Sequence, residues 1–217
     1  MKLLTLNTYS WVQTADPETY AALIAEILEN EYDAIALQEV NQLSSGTSVN
    51  EPEGYLPTQN EIPIKSDNFA YFLVKSLAEK GLSYHWSWVP CHQGYFRFDE
   101  GVAILSKAPI QSVEQVQLSV VNDFESIHTR RALVLETEAA AFVSVHLSWW
   151  KAEEENPFLR EWTSVAAAVK KLCGTKPIYV MGDVNNPADV RNEGYDLITN
   201  AGWQDAYAVA ATRIGSA

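Results

Sequence analysis

Two cysteines, four histidines and fifteen basic residues are few for a chain of 217 residues. Cys91 and Cys173 stand far apart with no C-x-x-C spacing, so neither a disulfide framework nor a cysteine zinc site is indicated. Both read as packing residues. The fifteen Lys and Arg are set against 28 Asp and Glu, which gives a formal net charge of -13 and a pI near 4.7. Proteins that hold long nucleic acid neutralise its phosphates with clustered basic side chains. That footprint is missing, so nucleic acid is not an expected partner. Long apolar runs are missing too. MKLLTLN carries one Lys and breaks at Asn7, too short for a signal-peptide hydrophobic region or a membrane span. No basic amphipathic segment argues for docking on a membrane, and a cytoplasmic location is expected. No repeat, linker or low-complexity tract divides the sequence, so residues 1–217 are read as one domain.

What is present is core material. Hydrophobic residues make up 47% of the chain, with seven Trp and ten Tyr, enough to bury a substantial interior. Lys2 to Leu6 reads as a short strand, and Asp16-Pro17 opens a helix with an N-cap and a proline, followed by the stripe Tyr20, Leu23, Ile24, Ile27 and Leu28. Asp33 to Gln38 is a second strand. Residues 42–66 carry Ser, Gly, Pro and Glu without periodicity and are expected to form a long surface loop, a candidate lid. Asp67 is the expected N-cap of a helix bearing Ala70, Leu73, Val74 and Leu77. Strands are then expected at Tyr84–Val89, Gly101–Ser106, Ile110–Leu118, Arg131–Glu136 and Ala141–His146. Asn156-Pro157 opens the strongest amphipathic helix, with Phe158, Trp162, Val165, Val169 and Leu172 on one face. Pro177 to Met181 is a buried strand, and 188–201 is predicted helical. Strands alternating with amphipathic helices predict layers of helix against sheet.

Chemistry gathers where the apolar runs stop. Asn7, Glu39, His146, Asp183 and Asn185 each follow such a run, where open sheets carry their ligand crevices. In Asp183-Val184-Asn185, read as strand, both polar side chains share one face; a strand that ends in an Asx-rich turn is the other reading of the tripeptide. A carboxylate can take a proton from water, and a carboxamide can donate to a charged oxygen without titrating. Glu39 and Asn7 offer hard oxygen ligands of the kind Mg²⁺ or Mn²⁺ accepts. Trp149 and Trp150 after His146, Trp11 after Asn7, and Tyr95 and Phe96 before Glu100 would set aromatic faces around such a pocket. Packing into the core is the equally open alternative for these rings.

LTLNTYSW, ALQEVN, DEGVAILSK, SVHLSWW and MGDVNNPAD, in this order and spacing, resemble the endonuclease/exonuclease/phosphatase superfamily over nearly the whole chain. The resemblance implies an α/β fold, a four-layered α/β/β/α sandwich of two mixed sheets with outer helices. It implies that Asn7 and Glu39 hold a divalent metal, that His146 contacts the phosphate, that Asp183 orients or deprotonates water, and that Asn185 binds a phosphoryl oxygen. The reaction implied is Mg²⁺-dependent attack of water on phosphorus, with Mn²⁺ as the other ion. The same superfamily pattern continues with a later Asp strand and a Ser-Asp-His motif, and nothing after Asp205 matches them. A chain truncated at its C-terminus is the expectation drawn from that difference.

The motifs do not choose among the superfamily's substrates. NTYSW, ALQEVNQ, DEGVAILSK and HLSWW are similar to the bacterial maltose 6'-phosphate phosphatase branch, which points to a small phosphorylated sugar, with Trp149, Trp150 and Tyr95 as substrate-binding rings. A sphingomyelinase-like phosphodiesterase is the alternative. Two readings of other classes stay open: a glycosidase using Glu39 and Asp183 as its carboxylate pair, and a binding domain without turnover.

Overall fold

The computed structural model describes residues 1–10, 16–59, 62–152 and 155–215. Trp11, one of the aromatic candidates, lies outside the described residues. The order is β1 (Leu3–Asn7), α1 (Pro17–Asn30), β2 (Ala34–Leu43), α2 (Phe69–Ala78), β3 (His85–Gly94), β4 (Phe98–Ser106), β5 (Ser112–Gln117), β6 (Arg131–Glu136), β7 (Ala141–His146), α3 (Pro157–Leu172), β8 (Ile178–Asp183), then the short α4 (Gly194–Asn200) and α5 (Ala206–Val209).

The strands form two four-stranded sheets, β1-β2-β4-β3 and β5-β6-β7-β8. Both are mixed. Each has one parallel pair at an edge, β1 with β2 and β7 with β8, and antiparallel pairing elsewhere. A parallel pair needs a long crossover, and α1 and α3 supply it. Capping explains why these helices start where they do: Asp16 accepts from the Thr19 N–H at 2.9 Å and Asn156 from the Leu159 N–H at 3.4 Å, each just before a proline.

Three apolar clusters define the layers. Ile24 and Ile27 of α1 and Leu73 and Leu77 of α2 pack on Ile35, Leu37, Trp86 and Trp88. Ala34, Ala36, Val89, Val102 and Ile104 meet Leu133, Leu135, Phe142 and Met181 between the sheets. Phe158, Trp162, Val165 and Val169 of α3 cover Val134, Val143 and Val145. Strand alternation sorts β2 accordingly, with small Ala34 and Ala36 where the sheets approach and large Ile35 and Leu37 under the helices. Helix, sheet, sheet and helix therefore stack as the expected α/β/β/α sandwich. No helix among the described residues is long and apolar enough to cross a membrane.

Three local expectations are corrected. The cap of α2 is Asn68, which accepts from the Tyr71 N–H at 3.2 Å, while Asp67 instead accepts from the Leu43 N–H at 2.9 Å. Residues 42–66 are not a free lid over their described part. Gln42 and Leu43 belong to β2, and buried Gln42 bonds Pro63 O, Asp99, Lys65 N and Asn68, so the segment is sewn onto the first sheet. Ser48 bridges Lys65 and Tyr55 bridges Trp86 in the same segment. Finally, 188–201 is helical only from Gly194, because the Asp196 side chain accepts from the Asn192 N–H and holds the preceding residues in turns.

Candidate active site

β1 delivers Asn7 at its last residue, as expected. β2 does not end at Gln38. It runs on to Leu43, and Glu39 sits inside it at a bulge, with φ 53° and a register shift against β4 between Leu37 and Val40. A bulge re-aims one side chain, and this one sends Glu39 toward Asn7. Thr8 fixes the bulge, since its hydroxyl lies 2.8 Å from Gln38 O and 2.9 Å from Glu39 O.

Asp183 closes β8 and pairs in register with His146, the last residue of β7. The strand geometry stops there. Asn185 has φ 53° and its N–H donates to Asp183 Oδ1 at 2.9 Å, an Asx turn, so the expected shared face of Asp183 and Asn185 is not formed. Asn185 Nδ2 instead donates to Leu147 O at 2.8 Å.

Asn7 is the junction of the two sheets. Its Nδ2 donates to Glu39 Oε1 at 2.9 Å and to Asp183 Oδ2 at 3.1 Å, and its Oδ1 accepts from Tyr9 N at 2.9 Å. A second carboxylate lies beyond. Ser10 Oγ is 2.6 Å from Glu100 Oε2 and 3.3 Å from Glu39 Oε2. With a single proton, the hydroxyl donates along the shorter contact. Glu100 Oε1 also lies 3.3 Å from His92 Nε2, while His92 Nδ1 is 3.4 Å from Thr129 O. Burial pushes the Glu100 carboxyl up, but the His92 and Ser10 bonds outweigh it and hold it below the ordinary carboxylate value.

Glu39, Glu100, His92, His146 and Arg130 line one small pocket, together with Cys91, Gly101 and Val102. Burial, then the Arg130 charge, lowers His146 below its ordinary value of 6.5, against the pull of Asp183, Glu39 and Glu100. His146 is therefore neutral at pH 7 and can donate one N–H. Among the described residues, Arg130 Nε is buried with no hydrogen-bond partner. Such a donor costs stability unless a ligand satisfies it. Cys91 is inert, its thiol pushed up to about 11 by burial.

Asn7, Glu39, His146 and Asp183 are thus brought together, with Asn185 tied to the turn beside them. The aromatic candidates divide. Trp150 is half-buried with its ring 5.9 Å from Phe158 in the core, whereas Trp149 is 63% and Tyr95 72% exposed. Ser10, His92, Glu100 and Arg130 were not singled out from the sequence. Glu100 carried a signal, since it stands in the DEGVAILSK motif, and Arg130 stands just before an apolar strand.

The profile of the Endonuclease/Exonuclease/phosphatase family matches residues 5–192. The chain belongs to this family. Its fold is similar to that of an endonuclease/exonuclease/phosphatase family protein from Leptotrichia buccalis C-1013-b, at 24% identity and a TM-score of 0.83, over 98% of this chain and 78% of that one. It is similar also to D. rerio TDP2 complexed with single strand DNA product, at 14% identity and TM-score 0.56, over 94% of this chain and 66% of that one. A third likeness is to ANGEL2, a 2',3'-cyclic phosphatase, in complex with adenosine-2',3'-vanadate, at 17% identity and TM-score 0.53, over 83% of this chain and 47% of that one. No curated protein matches in sequence.

Family members are phosphoester hydrolases and generally use divalent metals. Among the described residues no three His, Cys, Asp or Glu side chains form a metal-holding group of their own. The donor chemistry nonetheless fits a hard ion that keeps water and substrate oxygens as ligands. Glu39 and Asp183 converge on one carboxamide, and Glu39 and Glu100, joined through the Ser10 hydroxyl, line a pocket in which Arg130 is the one Arg or Lys among the described residues.

Proposed function

We propose that the protein is a divalent-metal-dependent phosphomonoesterase acting on a small phosphorylated substrate, with a sugar phosphate as the favoured class. One observation carries the reading. Two carboxylates, Glu39 and Asp183, meet at Asn7 beside a pocket lined by His146 and by Arg130, whose buried Nε has no partner among the described residues.

Asp183 is held at both oxygens, by Asn185 N and by Asn7 Nδ2, which fixes its direction and leaves lone pairs for a water proton. As water oxygen bonds phosphorus, that proton passes to Asp183 and the ester oxygen leaves. Arg130 and His146 donate to the non-bridging oxygens as charge builds there. Glu39 and Asn7 would hold Mg²⁺ or Mn²⁺, and the ion would act as a Lewis acid toward the phosphoryl oxygens. The choice of a small neutral group beyond the phosphate rests on exposed rings and on net charge. Trp149 and Tyr95 expose flat rings, and a net charge of -13 opposes a long polyanion.

The test is a panel of sugar phosphates and other phosphomonoesters run against bis-p-nitrophenyl phosphate, with Mg²⁺ and with EDTA. Monoester turnover that EDTA removes and Mg²⁺ restores is expected. Hydrolysis of the diester alone would move the protein to the phosphodiesterase reading, and turnover of glycosides surviving EDTA would overturn the metal chemistry. On the best monoester, Arg130→Ala should lower kcat/KM by about 10- to 100-fold, the value of a charge-assisted hydrogen bond or two. Arg130→Lys should recover only part of it, because an ammonium does not reproduce the guanidinium fork.

A further inference from the structure

Glu161 is out of place for its pattern. α3 buries Phe158, Trp162, Val165 and Val169, and among them lies Glu161, only 1% exposed. A carboxylate on the apolar side of a helix is costly unless both oxygens find donors. Both do, and on one residue: Oε2 accepts from Ser148 N and Oε1 from Ser148 Oγ, each at 2.7 Å. Burial still raises the Glu161 carboxyl above its ordinary value against those two bonds.

Ser148 belongs to the segment that leaves β7 at His146. Leu147, between them, donates its N–H to Asp183 O at 2.9 Å and accepts from Asn185 Nδ2 at 2.8 Å. Within three residues the chain is therefore tied on one side to the Asp183-Asn185 turn and on the other to Glu161. The apolar side chains of α3 already anchor the helix, so Glu161 is not needed for that.

We infer that Glu161 is a positioning residue: by holding Ser148 it fixes the turn that aims His146 and presents the Leu147 carbonyl to Asn185. This rests on the proposal that His146 donates to the phosphoryl oxygens and that Asn185 N helps to hold Asp183. Releasing Ser148 lets the Leu147 carbonyl swing, and a misplacement of about 1 Å at a reacting group can cost on the order of 100-fold in rate.

Glu161→Met keeps the volume and removes the acceptors, and Glu161→Gln keeps an oxygen for Ser148 N while its NH₂ donates to Ser148 Oγ. Glu161→Met is expected to lower kcat by about 10- to 100-fold with KM little changed, and Glu161→Gln to restore most of the loss. Joined to Asn185→Ala, Glu161→Met should add almost nothing, because each releases one of the two ties that hold the same Leu147-Ser148 segment. Hydrogen exchange gives an arm independent of catalysis: in Glu161→Met, residues 146–149 and 183–185 should exchange faster while the centre of α3 stays protected. Additivity with Asn185→Ala, equal kcat in the Met and Gln variants, or exchange rising only across α3 would overturn the inference. If the native chain hydrolyses no phosphoester, the functional proposal fails, and the exchange arm alone decides the positioning role.

Discussion

Asp183→Asn should turn over its substrate roughly 10²- to 10⁴-fold more slowly than the native chain, the usual worth of a positioned general base. The substitution keeps shape and removes basicity. Asp183 Oδ1 takes the Asn185 N–H and Oδ2 takes Asn7 Nδ2, so the new amide nitrogen must meet one donor with another. Losing one such bond costs about 1–2 kcal/mol, which a domain of this size withstands. Asn7 can also turn its carboxamide, exchanging its bond to Tyr9 N for one to the new amide. Steady-state kcat beside a thermal melt checks both halves. A variant that melts near the native temperature and keeps full activity would remove Asp183 from the proton-accepting role.

Part of this arrangement is legible in the sequence. Asp16-Pro17 and Asn156-Pro157 announced α1 and α3 because caps and prolines act within one turn, and the apolar runs announced β1, β7 and β8. Asn7, His146 and Asp183 were found because each ends a run. Glu39 was found for a partly wrong reason: β2 does not stop there, and what turns its carboxylate toward Asn7 is a bulge set by pairing with β4, about sixty residues on. His92, Glu100 and Arg130 are not legible there because they meet only once β3, β4 and the start of β6 are brought together. No local pattern encodes that meeting. Glu161 escaped for another reason. A helical stripe is read from its apolar members, and a buried carboxylate inside it looks like a polar interruption until its partner, thirteen residues earlier, is known.

The same dependence on partners makes Gly182→Ala a substitution expected to harm the fold strongly. Gly182 sits one residue before Asp183 with φ 142°, in a region that side-chain-bearing residues rarely enter. A Cβ there would lie 2.0 Å from Val145 O, 2.9 Å from Val145 C and 3.0 Å from Val145 N. These are backbone atoms of the strand with which Gly182 is paired, so no flexible side chain can give way. β8 must part from β7, or Gly182 must change its φ. Backbone strain of about 1–3 kcal/mol and overpacking of similar size together suggest a loss of about 2–6 kcal/mol. At about 2–4 °C per kcal/mol for a chain of this length, the melting temperature should fall by about 4–24 °C. Gly174→Ala is the control: its φ of 57° is also positive, but nothing lies within 4 Å of its Cβ, so only the backbone cost of about 1 kcal/mol applies. Activity should separate the two variants more sharply than melting does. Parting β8 from β7 breaks the register of Asp183 with His146, and Gly182→Ala measured well below its melting point should still lose about 10²-fold in kcat, whereas Gly174→Ala should keep native turnover. Native-like melting and turnover in Gly182→Ala would mean that the β7–β8 pairing does not hold the Asp183 carboxylate in place.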